Sequence, residues 1–423
     1  MTWVSLLFLI VPSILLLPHS LSQAESDTLK QGQQLHDWDE LVSAEGVFKL
    51  GFFSPGSKTV DIGVIAPRYI GIWFNKIPFY PLWVANPNNP VPDSSGVLRM
   101  DTDGILKFAY KGGSRIAVSS NRAKANSETN IIATLLDSGN LVVRQIGADG
   151  IAGPILWQSF DYPSNMLLPE MKLGINLKTG HEWYLSSWLS EQLPSPGAFR
   201  LGLNPNGSRE LMVWRRGEVY WRSGEWKNGK FELAPELTEG TFTKQLDAYQ
   251  FRFVTNENER YFSYSKRSNF ILSRWLLNDL GQIEQFTRDT SGWIWETTSP
   301  CNTNYTMNAT GVCLNEKPSN CRNGSEFFAP RKGCMNVSFT YMNVSFTGDQ
   351  IDDNAGLALS DCHAKCWTNC SCSAYSSVFD NGTGCEFWSR EVQFIPDEGF
   401  GREIYLLTYD QSINGTSSYH RVP

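Results

Sequence analysis

Between Asp27 and about Ile155 the chain runs in short apolar alternations broken by Gly, Pro, Asn and Asp: "GVFKLGFFSPGS", "RYIGIWFNKIP", "PLWVANPNNPVPDSSGVLRM", "DGILKFAY" and "LLDSGNLVVRQ". Runs of about four to eight residues with turn signals at this spacing predict strands of a β-sandwich, barrel or prism. No helix of ordinary length fits there. "LRMDTDGILKF" and "TLLDSGNLVVR" echo each other, each placing an acidic turn with glycine before an apolar strand. Such an echo suggests a pseudo-symmetric β domain. From Leu156 to about Pro300 the style repeats in "YWRSGEWKNGKFEL", "YQFRFVTNENERYFSYS" and "SGWIWETT". The period of two in "YQFRFVTN" puts Tyr249, Phe251 and Phe253 on one face.

The apolar run "LLFLIVPSILLL", Leu6 to Leu17, is short for a membrane span and precedes small and polar residues. It reads as a secretory signal cleaved near Ser22 or Ala24. No later run reaches ~18 apolar residues, so the mature chain is expected to be extracellular, in the apoplast or at a cell surface.

A chain of 423 residues has room for about two to four domains. Its net charge of -7 argues against nucleic acid as a partner. Aromatics at 13%, with fifteen tryptophans, suit sheets better than long solvated helices. All nine cysteines lie at or after Cys301. Most of the chain therefore folds on apolar burial, and the last part is a stapled unit in an oxidising compartment. There the sequons crowd as well, at Asn304, Asn308, Asn323, Asn336, Asn343, Asn369, Asn381 and Asn414, with Asn206 upstream. Each is a candidate N-glycosylation site. "MNVSFTYMNVSFT" is a near-perfect tandem copy, read as a duplication in a loop or edge strand.

Enzyme chemistry finds few parts. The histidines beyond the leader are His36, His181, His363 and His420, with no G-x-S-x-G elbow and no H-E-x-x-H pair. Asp352 and Asp353 are adjacent and read as a solvated turn rather than a glycosidase pair. No catalytic residue and no cofactor is expected. In "DCHAKCWTNCSC", Cys362 and Cys366 share a face if the stretch is helical, with Ser360 or Asp361 as a cap. His363 is expected on the exposed face of that helix and not on a metal.

In order along nearly the whole chain, "LVSAEGVFKLGFFSPGS", "RYIGIWFNKI", "WVANPNNPVPDSSGVL", "ATLLDSGNLVVR", "LWQSFDYPSNMLLPEMKLG", "SSWLSEQLPSPGAFRLGLNPNG", "YWRSGEWKNGKF" and the terminal "DCHAKCWTNCSCSAY" resemble one family. It is the extracellular part of plant S-locus glycoproteins and G-type lectin S-receptor-like kinases. The resemblance implies a mainly β chain of two β-prism, bulb-lectin-like domains, a degraded EGF-like segment and a small α+β PAN/apple domain. The expected divisions are signal peptide 1–24, bulb-type lectin 25–155, S-locus glycoprotein domain 156–300, EGF-like segment 301–334, PAN domain 335–410 and polar tail 411–423. The kinase that full receptors carry has no glycine-rich loop, H-R-D or D-F-G here, so a chain lacking transmembrane and kinase regions is expected.

Bulb lectins of this type read mannose with Q-x-D-x-N-x-V-x-Y. In "DTDGILKFA" the pattern falls on Asp101, Asp103, Ile105, Lys107 and Ala109, with only Asp103 matching; in "LDSGNLVVR" only Asn140 and Val142 match. Loss of several convergent polar groups predicts loss of monosaccharide affinity. By the same resemblance the disulfides are expected at Cys301–Cys313, Cys362–Cys385 and Cys366–Cys372, since Met307 and Asn323 replace two EGF-like cysteines. Either Cys321–Cys334 or Cys334–Cys370 would complete them. An odd count leaves at least one thiol free or intermolecular, compatible with a homodimer. The expected function is non-catalytic recognition of a protein or secreted peptide ligand, or of a membrane receptor kinase, in pollen recognition or defence. A mannose-type defence lectin and a decoy or co-receptor are the alternatives.

Overall fold

The structure is a computed structural model that describes residues 26–56, 66–77, 80–120, 129–239, 249–267, 272–289, 292–298, 321–322, 326–336, 350–399 and 401–409. Side chains are not described at Thr129, Glu236, Glu239, Asp289, 292–298 and Asn336.

Three four-stranded antiparallel sheets form the first prism. One joins Leu41–Val42, Phe48–Phe53, Tyr69–Phe74 and Trp83–Val84; another joins Gln34–His36, Val97–Met100, Leu106–Ala109 and Ile116–Ala117. In the third, the first strand, Thr28–Lys30, pairs with Thr129–Leu135, which continues to Leu141–Gly147 and Ala152–Gln158. The first described strand of this prism thus closes the sheet made by the prism's last hairpin.

The plan recurs in the second prism. Met166–Leu167 pairs with Leu272–Leu277 and closes the sheet of Ile283–Asp289 and Gly292–Thr298. Glu182–Trp183, Leu173–Asn176, Glu259–Lys266 and Tyr249–Thr255 make a second sheet. Leu185–Ser190, Leu193–Leu203, Leu211–Arg215 and Glu218–Arg222 make a third.

Alternation explains why these stretches stand as sheets: Leu98, Met100, Leu106 and Phe108 point inward and are nearly inaccessible, while the residues between them are half-buried. Each large side chain so buried contributes about 1.5 to 3 kcal/mol. Tyr249, Phe251 and Phe253 pack on one face against the core. The apolar core is continuous through both prisms.

The two echoed turns have one geometry. Gly104 and Gly139 lie at φ +76° and +83°, and the N–H of each returns to the carbonyl of Asp101 or Leu136. The left-handed conformation favours glycine there. The first residue of the next strand then donates its N–H to a buried serine: Leu106 to Ser119 at 3.0 Å and Leu141 to Ser159 at 2.9 Å. Leu211 repeats the bond with Ser223 at 2.9 Å in the second prism, where the preceding turn is longer.

The C-terminal module is a six-stranded antiparallel sheet in the order Gln350–Asp352, Cys385–Ser389, Cys372–Ser376, Arg402–Tyr409, Glu326–Asn336 and Gln393–Pro396. The expected division after residue 334 falls inside the continuous strand Glu326–Asn336. Pairing with Arg402–Tyr409 places that strand wholly in the C-terminal sheet.

The helix Leu359–Thr368 packs its buried Cys362, Cys366 and Trp367 against Phe328 and Tyr375 of this sheet. Its N-cap is Ala358 rather than Ser360 or Asp361, and Asp361 accepts the Ala358 N–H at 2.9 Å from inside the first turn. Arg216 reaches across from the second prism to Asp361 Oδ2 at 2.5 Å, and Arg215 to Oδ1 at 3.2 Å. Burial opposes ionisation of Asp361, but the bonds from Arg216 and Ala358 and the charges of both arginines outweigh it. The carboxyl therefore sits below its usual range.

Candidate functional site

The sugar-pattern residues of the first prism are engaged within the protein. In the hairpin after Val97–Met100, Asp101 is buried and pairs with Arg99 Nε at 2.7 Å and Lys107 Nζ at 3.0 Å. Lys107 also reaches Asp103 Oδ2 at 2.5 Å, and Asp103 accepts the Ile105 N–H at 3.0 Å. Partial burial opposes ionisation of Asp103, yet the Lys107 and Ile105 bonds prevail and hold its carboxyl below the usual range. The lysine that replaces the pattern's valine thus takes up the one carboxylate that matches.

In the second hairpin Asn140 is buried, with Nδ2 donating to Gln158 Oε1 at 2.9 Å. Its Oδ1 accepts from Ser159 Oγ at 3.2 Å and the Phe160 N–H at 3.3 Å. Val142 is wholly buried. Asp103, Asn140 and Val142 therefore form no common surface.

A cavity of about 440 Å³ opens on the third sheet of the second prism, lined by Glu182, Ser186, Arg200, Leu203, Trp214 and Arg216 among others. Register explains the gathering: Arg200 pairs with Ser186 on one side and Trp214 on the other, so the three share an outward face. The Arg200 guanidinium lies 3.7 Å from the Tyr184 ring centroid and 5.8 Å from that of Trp214. Its Nη2 reaches Glu182 Oε2 at 2.5 Å, while its buried Nε has no hydrogen-bond partner among the described residues. A cation between two aromatic faces beside a carboxylate can take polar and planar groups together.

The serine-capped leucines align this sheet with the first prism. Trp214 stands three residues beyond Leu211, as Arg144 does beyond Leu141 and Ala109 beyond Leu106. It occupies the tyrosine position of the sugar pattern, unnoticed in the sequence because the longer turn shifts the spacing. The serine at Ser223, twelve residues after Leu211, was the available signal.

Three disulfides are present among the described residues. Cys362–Cys385 and Cys366–Cys372 staple the helix to the sheet, with Cα separations of 5.2 Å each. The third is Cys321–Cys370, which corrects both expected pairings of Cys334. Arg322 supplies the reason: its guanidinium donates to the carbonyls of Cys366, Trp367, Asn369 and Cys372 at 2.7 to 3.2 Å. Those bonds hold Cys321 against the end of the helix, beside Cys370. Cys334 faces Ile395 across the sheet and is the free thiol among the described residues. Cys301–Cys313 lies outside the described residues.

His363 is not on an open face. It is half-buried, stacked on Trp367 at 6.2 Å and edge-on to Phe328 and Tyr375. Of the sequons, Asn206 and Asn369 are exposed and Asn381 is half-buried. Asn336 ends a strand with its side chain undescribed, and Asn304, Asn308, Asn323, Asn343 and Asn414 lie outside the described residues. Most of the tandem copy does too.

Three family models match the chain: the D-mannose binding lectin over 81–189, the S-locus glycoprotein domain over 221–331 and the PAN-like domain over 333–393. S-locus-specific glycoprotein S6 of Brassica oleracea is 30% identical over 399 residues, covering 86% of this chain and 87% of that protein. The chain belongs to the S-locus glycoprotein family. The family's receptor-like kinases are similar as well. G-type lectin S-receptor-like serine/threonine-protein kinase CES101 of Arabidopsis thaliana is 35% identical over 398 residues, or 88% of this chain. This S-domain chain spans 44% of that kinase's length. No helix among the described residues is long and apolar enough to cross a membrane.

Proposed function

We propose that this S-domain chain is an extracellular, non-catalytic recognition protein for a protein or peptide ligand, with a membrane receptor kinase as its partner class. The observation that carries the reading is the internal use of the sugar pattern: Asn140 and Val142 are buried and Asp103 is tied to Lys107. A monosaccharide would have to break those bonds, and each buried polar group left unpaired costs about 1 to 3 kcal/mol. The outward Tyr184, Arg200 and Trp214 face supplies residue types that dominate protein interfaces. The stapled C-terminal module suits an oxidising, extracellular setting.

The test is capture of cysteine-rich peptides and receptor ectodomains by the purified protein, alongside a glycan array. Polypeptide capture that falls at least about tenfold in Arg200→Ala and Trp214→Ala supports the reading. Mannose binding abolished by Asn140→Ala, in a variant that remains folded, refutes it.

A further inference from the structure

Arg216 is an unusual occupant of its turn. With Gly217 it joins the strands Leu211–Arg215 and Glu218–Arg222, whose ends Arg215 and Glu218 pair, and both loop residues lie at positive φ, +48° and +89°. That is the type I′ pattern, which glycine, asparagine or aspartate adopts with least strain. An arginine held in the left-handed region points to a use for its side chain.

Arg216 Nε and Nη2 grip Asp361 at 3.2 and 2.5 Å, and Nη2 also donates to the Gly356 carbonyl at 2.8 Å. Its Nη1 makes no hydrogen bond to a described residue, and Arg216 lines the cavity of about 440 Å³ on the second prism. The guanidinium is thus pinned along one edge while the side chain stays 44% exposed. Arg200 is held in a like manner. Its Nη2 is bonded to Glu182 and its plane lies near Tyr184, while Nη1 makes no hydrogen bond to a described residue. Trp214 stands opposite Arg200 in register and two residues before Arg216, and its Nε1 is likewise without a described partner. Of the charged residues lining the cavity, two are these arginines and one is Glu182; Asp361 is not in the lining and is shared with Arg215. Phe199, Leu203 and Pro205 supply an apolar wall.

We infer that this cavity takes a carboxylate of the polypeptide ligand, held between Arg200 and Arg216 with an adjoining apolar residue against Trp214. Planar guanidinium groups match the two oxygens of a carboxylate. Both forks are already fixed by bonds within the protein, so little side-chain freedom is lost on binding. The volume falls at the lower end of the ~300 to 1,000 Å³ of small-molecule sites, room for a peptide end or a loop tip rather than a folded face. An acidic sugar fits less well, because its several hydroxyls need acceptors and the side-chain acceptors in the lining are Glu182 and Ser186.

The inference rests on the polypeptide reading proposed above and is tested apart from it. Three probes are titrated calorimetrically against the full chain: N-acetyl-Ala-Pro-Phe with a free terminal carboxylate, its terminal amide, and N-acetyl-Glu-Pro-Phe amide, whose carboxylate is a side chain. At least one carboxylate peptide is expected to bind about tenfold or more tighter than the uncharged amide, and which one does so tells a chain end from an acidic side chain. Arg200→Ala and Arg216→Gly should each erase the difference; glycine suits the turn, so the hairpin is kept. Glu182→Gln should raise affinity for the preferred carboxylate peptide roughly threefold, a gain that misfolding cannot produce. Equal affinities for the three probes, no binding by any, or a preference that survives both arginine substitutions overturns the inference, as does unchanged or weaker binding in Glu182→Gln. Digalacturonate binding more tightly than either carboxylate peptide overturns the polypeptide source. Polypeptide capture that depends on Trp214 without any carboxylate preference sinks this inference and leaves the reading above; a carboxylate preference without any polypeptide captured sinks that reading and leaves the carboxylate site.

Discussion

Asn140 Nδ2 donates to Gln158 Oε1 at 2.9 Å, while Asn140 Oδ1 receives Ser159 Oγ and the Phe160 N–H. One amide therefore pins the hairpin to the turn that leads into the second prism. Asn140→Ala is expected to lower unfolding free energy by about 1 to 3 kcal/mol, because it strands buried partners. Urea denaturation checks the loss. An unchanged midpoint would mean that the amide is not structural.

The cysteine pairing makes a separable prediction. Cys321→Ser should cost about 2 to 4 kcal/mol and expose Cys370 to alkylation without reduction. Cys334→Ser should cost less than about 1 kcal/mol, being a half-buried free thiol. Peptide mapping of unreduced, alkylated protein should find label on Cys334. A Cys334–Cys370 peptide would contradict the structure.

Across the junction of the second prism and the C-terminal module, Asp361 accepts from both Arg215 and Arg216 while itself buried. Asp361→Ala removes the carboxylate from two cations and frees the Ala358 N–H. A loss of about 2 kcal/mol is expected, moderated because Arg216 is partly exposed. Limited proteolysis between the second prism and the helix should quicken in parallel. Unaltered stability and cleavage would show that the pair does not hold the junction.

Asp279 provides a pH signature. Burial first, then the negative charge of Glu191, raises its carboxyl from the ordinary 3.8 to about 6. The folded chain therefore binds this proton more tightly than the unfolded chain. The stabilisation is complete below pH 3.8 and is lost as pH rises through about 6. Relative to Asp279→Asn, the native protein should lose stability between about pH 4 and about pH 7. Denaturation midpoints of the pair across that range give the slope, and parallel curves would refute it.

The strands were legible because alternation is local: Leu98, Met100, Leu106 and Phe108 announce their faces within a dozen residues. The family, too, was readable from its ordered motifs. Trp214 was not placed, because a longer turn displaced it from the pattern's spacing. The surroundings of His363 are not legible in the sequence for a related reason. Helical spacing says which residues share a side, but Phe328 and Tyr375 arrive from distant strands to cover it.

By itself the sequence determined the β-rich class, the cysteine-rich end and the poverty of its mannose pattern, all properties of residue type and near spacing. Tertiary structure decided how Thr28–Lys30 closes a sheet with Thr129–Leu135, and that Asn140 is spent inside the protein. It also decided that Cys321, rather than Cys334, meets Cys370. A thiol pairs with whatever the fold brings within bonding reach, and here Arg322, through four carbonyls around the helix end, sets that distance.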